Sequence, residues 1–200
     1  NDIRLAFKNL PKEFQDDVSE DLIKKLLIRK KDLPKYASQY YHLLNQKVIL
    51  TGTDKKDRFV ITRLPNNETE IKIIRLKKSG EELQSSKLYS GKITKEILLY
   101  GLDDEDEFVV DGNQKSSIKI KLLGGLDKDK YSVSNSKKVT IYDYKSKTNN
   151  LDNKGNATVN LTDDYDINQY NYRNAKYNVF TTFMNFNFNP DDALAVGFNA

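Results

Sequence analysis

The residues of this chain best suited to chemistry are aspartates in two acidic turns, GLDDEDEF at residues 101–108 and GGLDKDKY at residues 124–131. Both resemble the calcium-binding nonapeptide G-G-x-G-x-D-x-U-x, in which stacked turns share one ion between oxygen ligands. The pattern predicts calcium ligands at Asp104, Asp106, Asp127 and Asp129. Because Asp104 and Asp127 replace a glycine of that motif, the alternative is a set of solvated carboxylates that cap strands. Apart from calcium, no cofactor is expected.

Other kinds of site find little support. The chain has one histidine, His42, and no cysteine, and it contains no phosphate-binding glycine loop, G-x-S-x-G elbow or H-E-x-x-H helix. The carboxylate pairs Asp103/Asp106 and Asp163/Asp164 lie in charged runs with no sign of a pocket. We therefore predict that this segment is not an enzyme. The net charge of +4 is interleaved along the chain, so nucleic acid is not an expected partner.

The acidic turns belong to a pattern that occurs three times, in residues 48–61, 97–110 and 120–133. In each copy a glycine follows alternating apolar residues, an aspartate comes five residues after the glycine, an aromatic seven after it and a branched aliphatic nine after it. The pattern predicts repeated β-turn-β units, either stacked as a β-helix or β-roll or arranged as a meander. Gly52, Gly101 and Gly124 are expected to turn the chain with positive φ.

Four segments are predicted around this pattern. Residues 1–46 read as helical, with Ser19 as the N-cap and an apolar stripe that packs on the β body. Residues 47–144 form the β-repeat domain, and residues 145–177 a polar, mostly irregular linker. Residues 178–200 alternate like a transmembrane β-hairpin. The fold class is thus mainly β with an N-terminal helical segment, repeated β-turn-β units and a C-terminal hairpin similar to the start of an outer-membrane barrel.

Several stretches resemble the connector region of Bacteroidetes outer-membrane proteins that join a calcineurin-like metallophosphoesterase domain to a surface-antigen, Omp85-like β-barrel. These stretches are residues 26–33 (LLIRKKDL), 40–44 (YYHLL), 48–54 (VILTGTD), 96–102 (EILLYGL), 123–125 (LGG) and 189–197 (NPDDALAVG).

The resemblance implies a non-catalytic connector that positions an upstream phosphoesterase-like domain of the same chain against a barrel. Its expected location is the outer membrane, on the periplasmic or cell-surface side. A single histidine cannot supply the His-rich di-metal motifs of the phosphoesterase, so none of the family's catalytic residues can be placed here. The chain, which begins at Asn1, is expected to be either a segment of something longer or a mature chain whose leader has been removed. The alternatives are a calcium-stiffened β-roll binding module or adhesin, and an accessory region that completes the phosphoesterase site.

Overall fold

A computed structural model describes residues 2–15, 17–173, 183–189 and 193–199. The chain divides into two compact units, residues 1–170 and residues 171–200, and each is described by itself. Within the described residues, the first unit contains three α-helices, two 3₁₀ turns and eleven strands, and the second contains two strands. The protein is therefore mainly β with an N-terminal helical segment.

The N-terminal segment is helical, as expected, but its packing differs from the prediction. Helix α1 spans Asp2–Lys8, a 3₁₀ turn follows at Lys12–Phe14, and helix α2 spans Asp17–Leu44. Ser19 lies inside α2 and its hydroxyl donates to the carbonyl of Phe14, so the predicted N-cap is wrong.

The apolar stripe of α2 was predicted to pack on the β body, and this too is wrong. Its large side chains from Leu22 to Leu44 are exposed except for Leu27, which is half-buried, and Ile23, which is buried beside α1. Amphipathic spacing shows that a helix has an apolar face and does not show what that face contacts. None of the helices in the described residues has the length and apolar character needed to cross a membrane.

The β strands of the first unit form two sheets, and beyond one hairpin the chain alternates between them. The first sheet has the order β1-β5-β7-β9-β11, and the second has the order β10-β8-β6-β2-β3-β4. The strands are β1 Lys47–Thr51, β2 Asp57–Leu64, β3 Glu68–Lys77, β4 Gly80–Ser90, β5 Glu96–Leu102, β6 Glu107–Asp111, β7 Lys119–Gly125, β8 Lys130–Val133, β9 Val139–Asp143, β10 Asn150–Asn153 and β11 Thr158–Leu161. All neighbours pair in parallel except the antiparallel pairs β2–β3 and β3–β4.

Equivalent residues of the three similar segments are direct partners in these sheets. Leu50 pairs with Leu99, and Leu99 pairs with Leu122. In the second sheet Phe59, Phe108 and Tyr131 pair in the same way, and their rings stack at centroid distances of 4.8 and 5.2 Å. The alternation of apolar and polar residues places these side chains between the sheets, where they form the core.

An antiparallel extension widens the second sheet. Strand β3, which contains Ile71 and Ile73, follows the 3₁₀ turn Pro65–Asn67, in which Asn66 and Asn67 take positive φ. Residues 80–90 then form the long strand β4, which pairs antiparallel with β3.

Residues 145–177 are predicted to be a polar, mostly irregular linker. In the described part, up to residue 173, most residues are irregular, as predicted, but the segment is part of the two sheets and not a separate linker. β10 and β11 each add a parallel strand to one sheet, and the short helix α3 spans Tyr165–Asn168. These strands are polar and expose most of their residues, so pairing with β8 and β9 stabilises them more than burial does. Residues 174–177 lie outside the described residues.

The second unit contains an antiparallel hairpin. Strand β12 spans Phe183–Asn189 and strand β13 spans Ala193–Asn199. Phe186 pairs with Val196 and Phe188 with Leu194. Residues 178–182 and 190–192, part of the predicted hairpin, lie outside the described residues.

Candidate functional site

The acidic turns lie where the chain passes from the first sheet to the second. Asp57 is the first residue of β2, and Asp106 and Asp129 directly precede β6 and β8. Since these strands pair in parallel with equivalent residues adjacent, the three aspartates stand above one another along one edge of the two sheets. All three are buried, with at most 1% of their surface exposed.

Asp106, Asp129 and Asn149 each accept a hydrogen bond from the backbone of the preceding turn. The amide N–H of Asp57 donates to Oδ1 of Asp106 at 2.7 Å, and the amide N–H of Asp106 donates to Oδ1 of Asp129 at 2.9 Å. The amide N–H of Asp129 donates to Oδ1 of Asn149 at 3.0 Å. We call these four residues, Asp57, Asp106, Asp129 and Asn149, the aspartate ladder. It satisfies the backbone donors of successive turns, which burial would otherwise leave unpaired at a cost in stability.

Both ends of the ladder are closed by polar groups. Oδ2 of Asp57 accepts from the amide N–H and the hydroxyl of Thr53, each at 2.7 Å, and its Oδ1 forms an ion pair with Arg75 at 2.9 Å. At the other end, Nδ2 of Asn149 donates to the carbonyl of Tyr144 at 3.2 Å. The ladder is therefore capped at one end by a cation and at the other by an amide.

The glycines of the pattern make room for the ladder. Gly52, Gly101 and Gly124 do not take positive φ, so the predicted backbone conformation is wrong. After Gly101 and Gly124 the positive φ falls on the next residues, Leu102 and Gly125. A Cβ on Gly101 would lie closer than 3.0 Å to Oδ2 of Asp106 and to the carbonyl oxygen of Gly124. The spacing of glycine and aspartate thus reflects the close approach of a carboxyl group to backbone.

Burial changes the ionisation of the inner rungs. Desolvation raises the pKa of Asp106 to about 9, aided by the charges of Asp129 and Asp57, although the amide N–H of Asp57 opposes the shift. Desolvation and the nearby Asp143 raise the pKa of Asp129 to about 8. Oδ2 of each residue is buried and has no hydrogen-bond partner in the structure. Both carboxyl groups are therefore predominantly protonated at pH 7.

Asp143 forms a second buried contact beside the ladder. It ends β9, opposite the glycine position of β7, and its Oδ2 accepts from the Tyr131 hydroxyl at 2.7 Å. Desolvation raises the pKa of Asp143 to about 6, while the Tyr131 hydroxyl acts in the opposite direction. Burial and the neighbouring carboxylates raise the pKa of Tyr131 as well. This contact joins the end of the aromatic stack to the first sheet.

The four predicted calcium ligands lie in two different environments. Asp106 and Asp129 are ladder rungs, whereas Asp104 and Asp127 are exposed on the turns. The amide N–H of Asp104 donates to Oδ2 of Asp127 at 3.1 Å, so the exposed pair repeats the ladder geometry at the surface. Within the described part of the chain, no three His, Cys, Asp or Glu side chains converge as metal ligands would.

The opposite edge of the sheets contains a buried arginine that the sequence did not indicate. Arg63 is 2% exposed and donates to the carbonyl of Ile118 at 3.1 Å, and its guanidinium also lies 3.4 Å from the carbonyl of Lys137. Desolvation lowers its pKa to about 10. Its planar set of donors joins turns that are far apart in sequence.

Sequence reasoning identified two of the four rungs as site residues. Asp57 was visible in the pattern but was not assigned as a site, and Asn149 lies in a stretch without periodicity. Their common signal is a short polar side chain directly before, or at the start of, a strand of the second sheet. His42 is on the exposed surface of α2.

No protein-family model, curated protein or solved structure matches this chain. The resemblance to outer-membrane connector regions therefore depends on the sequence patterns alone.

Proposed function

We propose that this chain is a non-catalytic spacer in which successive strand pairs stack as the coils of a β-roll. The observation that carries the proposal is the unbroken parallel register from Leu50 through Leu99 and Leu122 to Ile141, reinforced by the aspartate ladder. Each coil adds one strand to each sheet. The distance between the first and last coils is then fixed by backbone hydrogen bonds.

The ladder and the aromatic stack explain how such a stack gains stiffness. Relative tilting of two coils would stretch the ladder bond between Asp106 and Asp129 and separate the rings of Phe108 and Tyr131. Stacked rings and buried hydrogen bonds resist such displacement, because neither finds a substitute partner inside a close-packed core. A stack held in this way keeps a constant length.

The partners in this proposal follow the resemblance. The spacer positions a metallophosphoesterase-like domain of the same chain relative to a β-barrel in the outer membrane, on the periplasmic or cell-surface side. The alternation of Phe186 and Phe188 with asparagines in β12 supports a strand with one apolar and one polar face.

Rigidity can be measured with two spin labels, because the chain has no native cysteine. Ile49 and Thr158 lie in one row of the first sheet, which runs through Leu98, Lys121 and Thr140. Both end residues are exposed. In a double variant with spin labels at Ile49→Cys and Thr158→Cys, we expect one narrow distribution of the distance between the labels. The Cα atoms of the two residues are about 19 Å apart, because four strand spacings separate them. The same sample in concentrated urea gives the broad reference distribution. A broad or multimodal distribution for the folded protein would exclude a rigid spacer.

The second candidate is a calcium-stiffened β-roll module or adhesin. It is favoured by the buried Oδ2 atoms of Asp106 and Asp129, which have no hydrogen-bond partner. Calcium usually takes six to eight oxygen ligands, and in the described residues no three acidic, histidine or cysteine side chains converge in a way that could hold an ion. The raised pKa values of Asp106 and Asp129 leave both groups without a charge for an ion to neutralise, so the spacer is the preferred function.

Calcium titration separates the two candidates. For the protonated ladder we expect the melting temperature to stay unchanged in about 5 mM CaCl₂, because no ion binds preferentially to the folded state. A rise in melting temperature that EDTA reverses and Asp127→Asn abolishes would favour the calcium module. Lys128→Gln, on the same turn, is the matched control.

A further inference from the structure

The exposed apolar side chains of α2 follow a heptad repeat. Seven positions alternate in steps of four and three residues: Leu22, Leu26, Arg29, Leu33, Tyr36, Tyr40 and Leu43. Six of the seven are apolar or aromatic, and their exposed fractions run from 37% at Leu26 to 62% at Leu33, Tyr40 and Leu43. Spacing of this kind defines the a and d seam of a two-helix coiled coil. We call these seven residues the α2 seam.

Nothing within the described residues covers the α2 seam. Helix α1 packs on a different side of α2, at Ile23, and Arg4 of α1 forms an ion pair with Glu20 of α2 at 3.2 Å. Pro34, inside the helix, lies one residue after a seam position and therefore on the outer side. The seam is thus continuous for about six turns, the length that a stable helix pair requires.

We propose that the α2 seam binds the α2 seam of a second copy of this chain, with the two helices antiparallel. A stable specific interface buries at least about 1,200 Å² in total, or roughly 100 Å² for each of the twelve residues that meet when Leu26 of one copy faces Leu43 of the other. Leucine and tyrosine side chains that are about 60% exposed can supply this area. The proposal does not depend on the spacer function.

Charge decides the antiparallel orientation. Residues 24–35 contain six basic residues and one acidic residue, Asp32. A parallel pair in register would place the two basic segments side by side and Arg29 against its own copy, which is unfavourable. In the antiparallel pair Arg29 lies against Tyr40 of the partner, where a guanidinium gains from the aromatic face. Leu33 then meets Tyr36, and Leu26 meets Leu43.

The antiparallel arrangement also leaves room for the rest of each chain. Strand β1 begins at Lys47, just after α2 ends at Leu44. Antiparallel pairing therefore places the β sheets of the two copies at opposite ends of the helix pair.

The oligomeric state of the full chain tests the proposal. We expect light scattering after size exclusion to show a dimer at tens of micromolar protein. Leu33→Glu combined with Tyr36→Glu should weaken the dimer by roughly 30-fold or more, since both lie at the centre of the seam. Ile28→Glu is the matched control, because Ile28 is as exposed as Leu33 but off the seam; it should remain dimeric. Circular dichroism shows whether each variant is folded.

Disulfide trapping tests the orientation. With Leu26→Cys and Leu43→Cys made separately and mixed, oxidation should link the two different variants, because antiparallel pairing joins Leu26 to Leu43. Links within each single variant would indicate parallel helices and overturn the orientation. The proposed interface would be overturned if the wild type were a monomer at 100 µM. It would also be overturned if Ile28→Glu weakened the dimer as much as the double seam variant does. A monomer that floats with phosphatidylglycerol vesicles would assign the seam to a membrane surface instead.

Discussion

Replacement of Gly101 by alanine is expected to unfold the protein or lower its free energy of unfolding by about 3 kcal/mol or more. The added Cβ would lie closer than 3.0 Å to Oδ2 of Asp106 and to the carbonyl oxygen of Gly124. Neither neighbour can move freely, because Oδ1 of Asp106 is held by the amide of Asp57 and the carbonyl is part of β7. Urea denaturation measures the loss.

The same substitution at three other glycines provides graded controls. Gly124→Ala should be as harmful as Gly101→Ala, since its Cβ would meet Asp129, Tyr131 and Asp143. Gly52→Ala should cost less, because its nearest contacts lie at 2.9 Å. The Cβ of Gly80→Ala would meet nothing within 4 Å. Its only cost is the strain of an alanine at a φ of +129°, which destabilises the protein by about 1–2 kcal/mol. Equal losses of stability in Gly80→Ala and Gly101→Ala would show that the ladder does not depend on the absence of a side chain at Gly101.

The strands that sequence reasoning located are those in which burial and alternation coincide. Phe59 and Ile61 in β2, and Phe108 and Val110 in β6, are buried at every second residue. A strand with one face in the core therefore shows its period in the sequence. In β10 and β11 only Leu151 and Val159 reach the core. Their conformation depends on pairing with strands already in place, which local sequence does not encode.

The candidate site could be located only in part from the sequence, for a similar reason. The constant offset between glycine and aspartate was visible in the sequence and predicted oxygen ligands. The glycine accommodates the carboxyl group of the aspartate five residues later. That Oδ1 of Asp106 binds the amide of Asp57, however, depends on residues 49 positions apart. A motif shows which residues recur, whereas the partner of each recurring residue is set by the register between strands.

The stability of the protein is expected to fall as the pH rises from about 5 to 8, opposite to the behaviour of aspartates in salt bridges. The pKa values of Asp106 and Asp129, about 9 and 8, lie above the unfolded value of 3.8. Between those limits the folded state holds protons that the unfolded state releases. The contribution of these two groups to the free energy of unfolding is therefore fully present below about pH 4. It is lost as the pH rises through the folded pKa values, and each group lowers the free energy of unfolding by up to about 1.4 kcal/mol per pH unit. Urea denaturation at one-unit pH intervals measures the slope; Asp143, with a pKa of about 6, adds to it only at the acidic end.

Asparagine at the same rungs should remove this dependence. Asp106→Asn keeps the Oδ1 acceptor for the amide of Asp57 and cannot ionise, and the ladder already contains an amide at Asn149. We expect this variant to be more stable than the wild type at pH 8 and to have a shallower slope, whereas Asp54→Asn, on an exposed turn, should leave the slope unchanged. Asp106→Leu should lose about 1–3 kcal/mol at acidic pH, because the amide of Asp57 is then buried without an acceptor. Asp106→Asn less stable than the wild type at pH 8 would mean that the folded ladder needs the negative charge, and the protonated ladder would have to be abandoned.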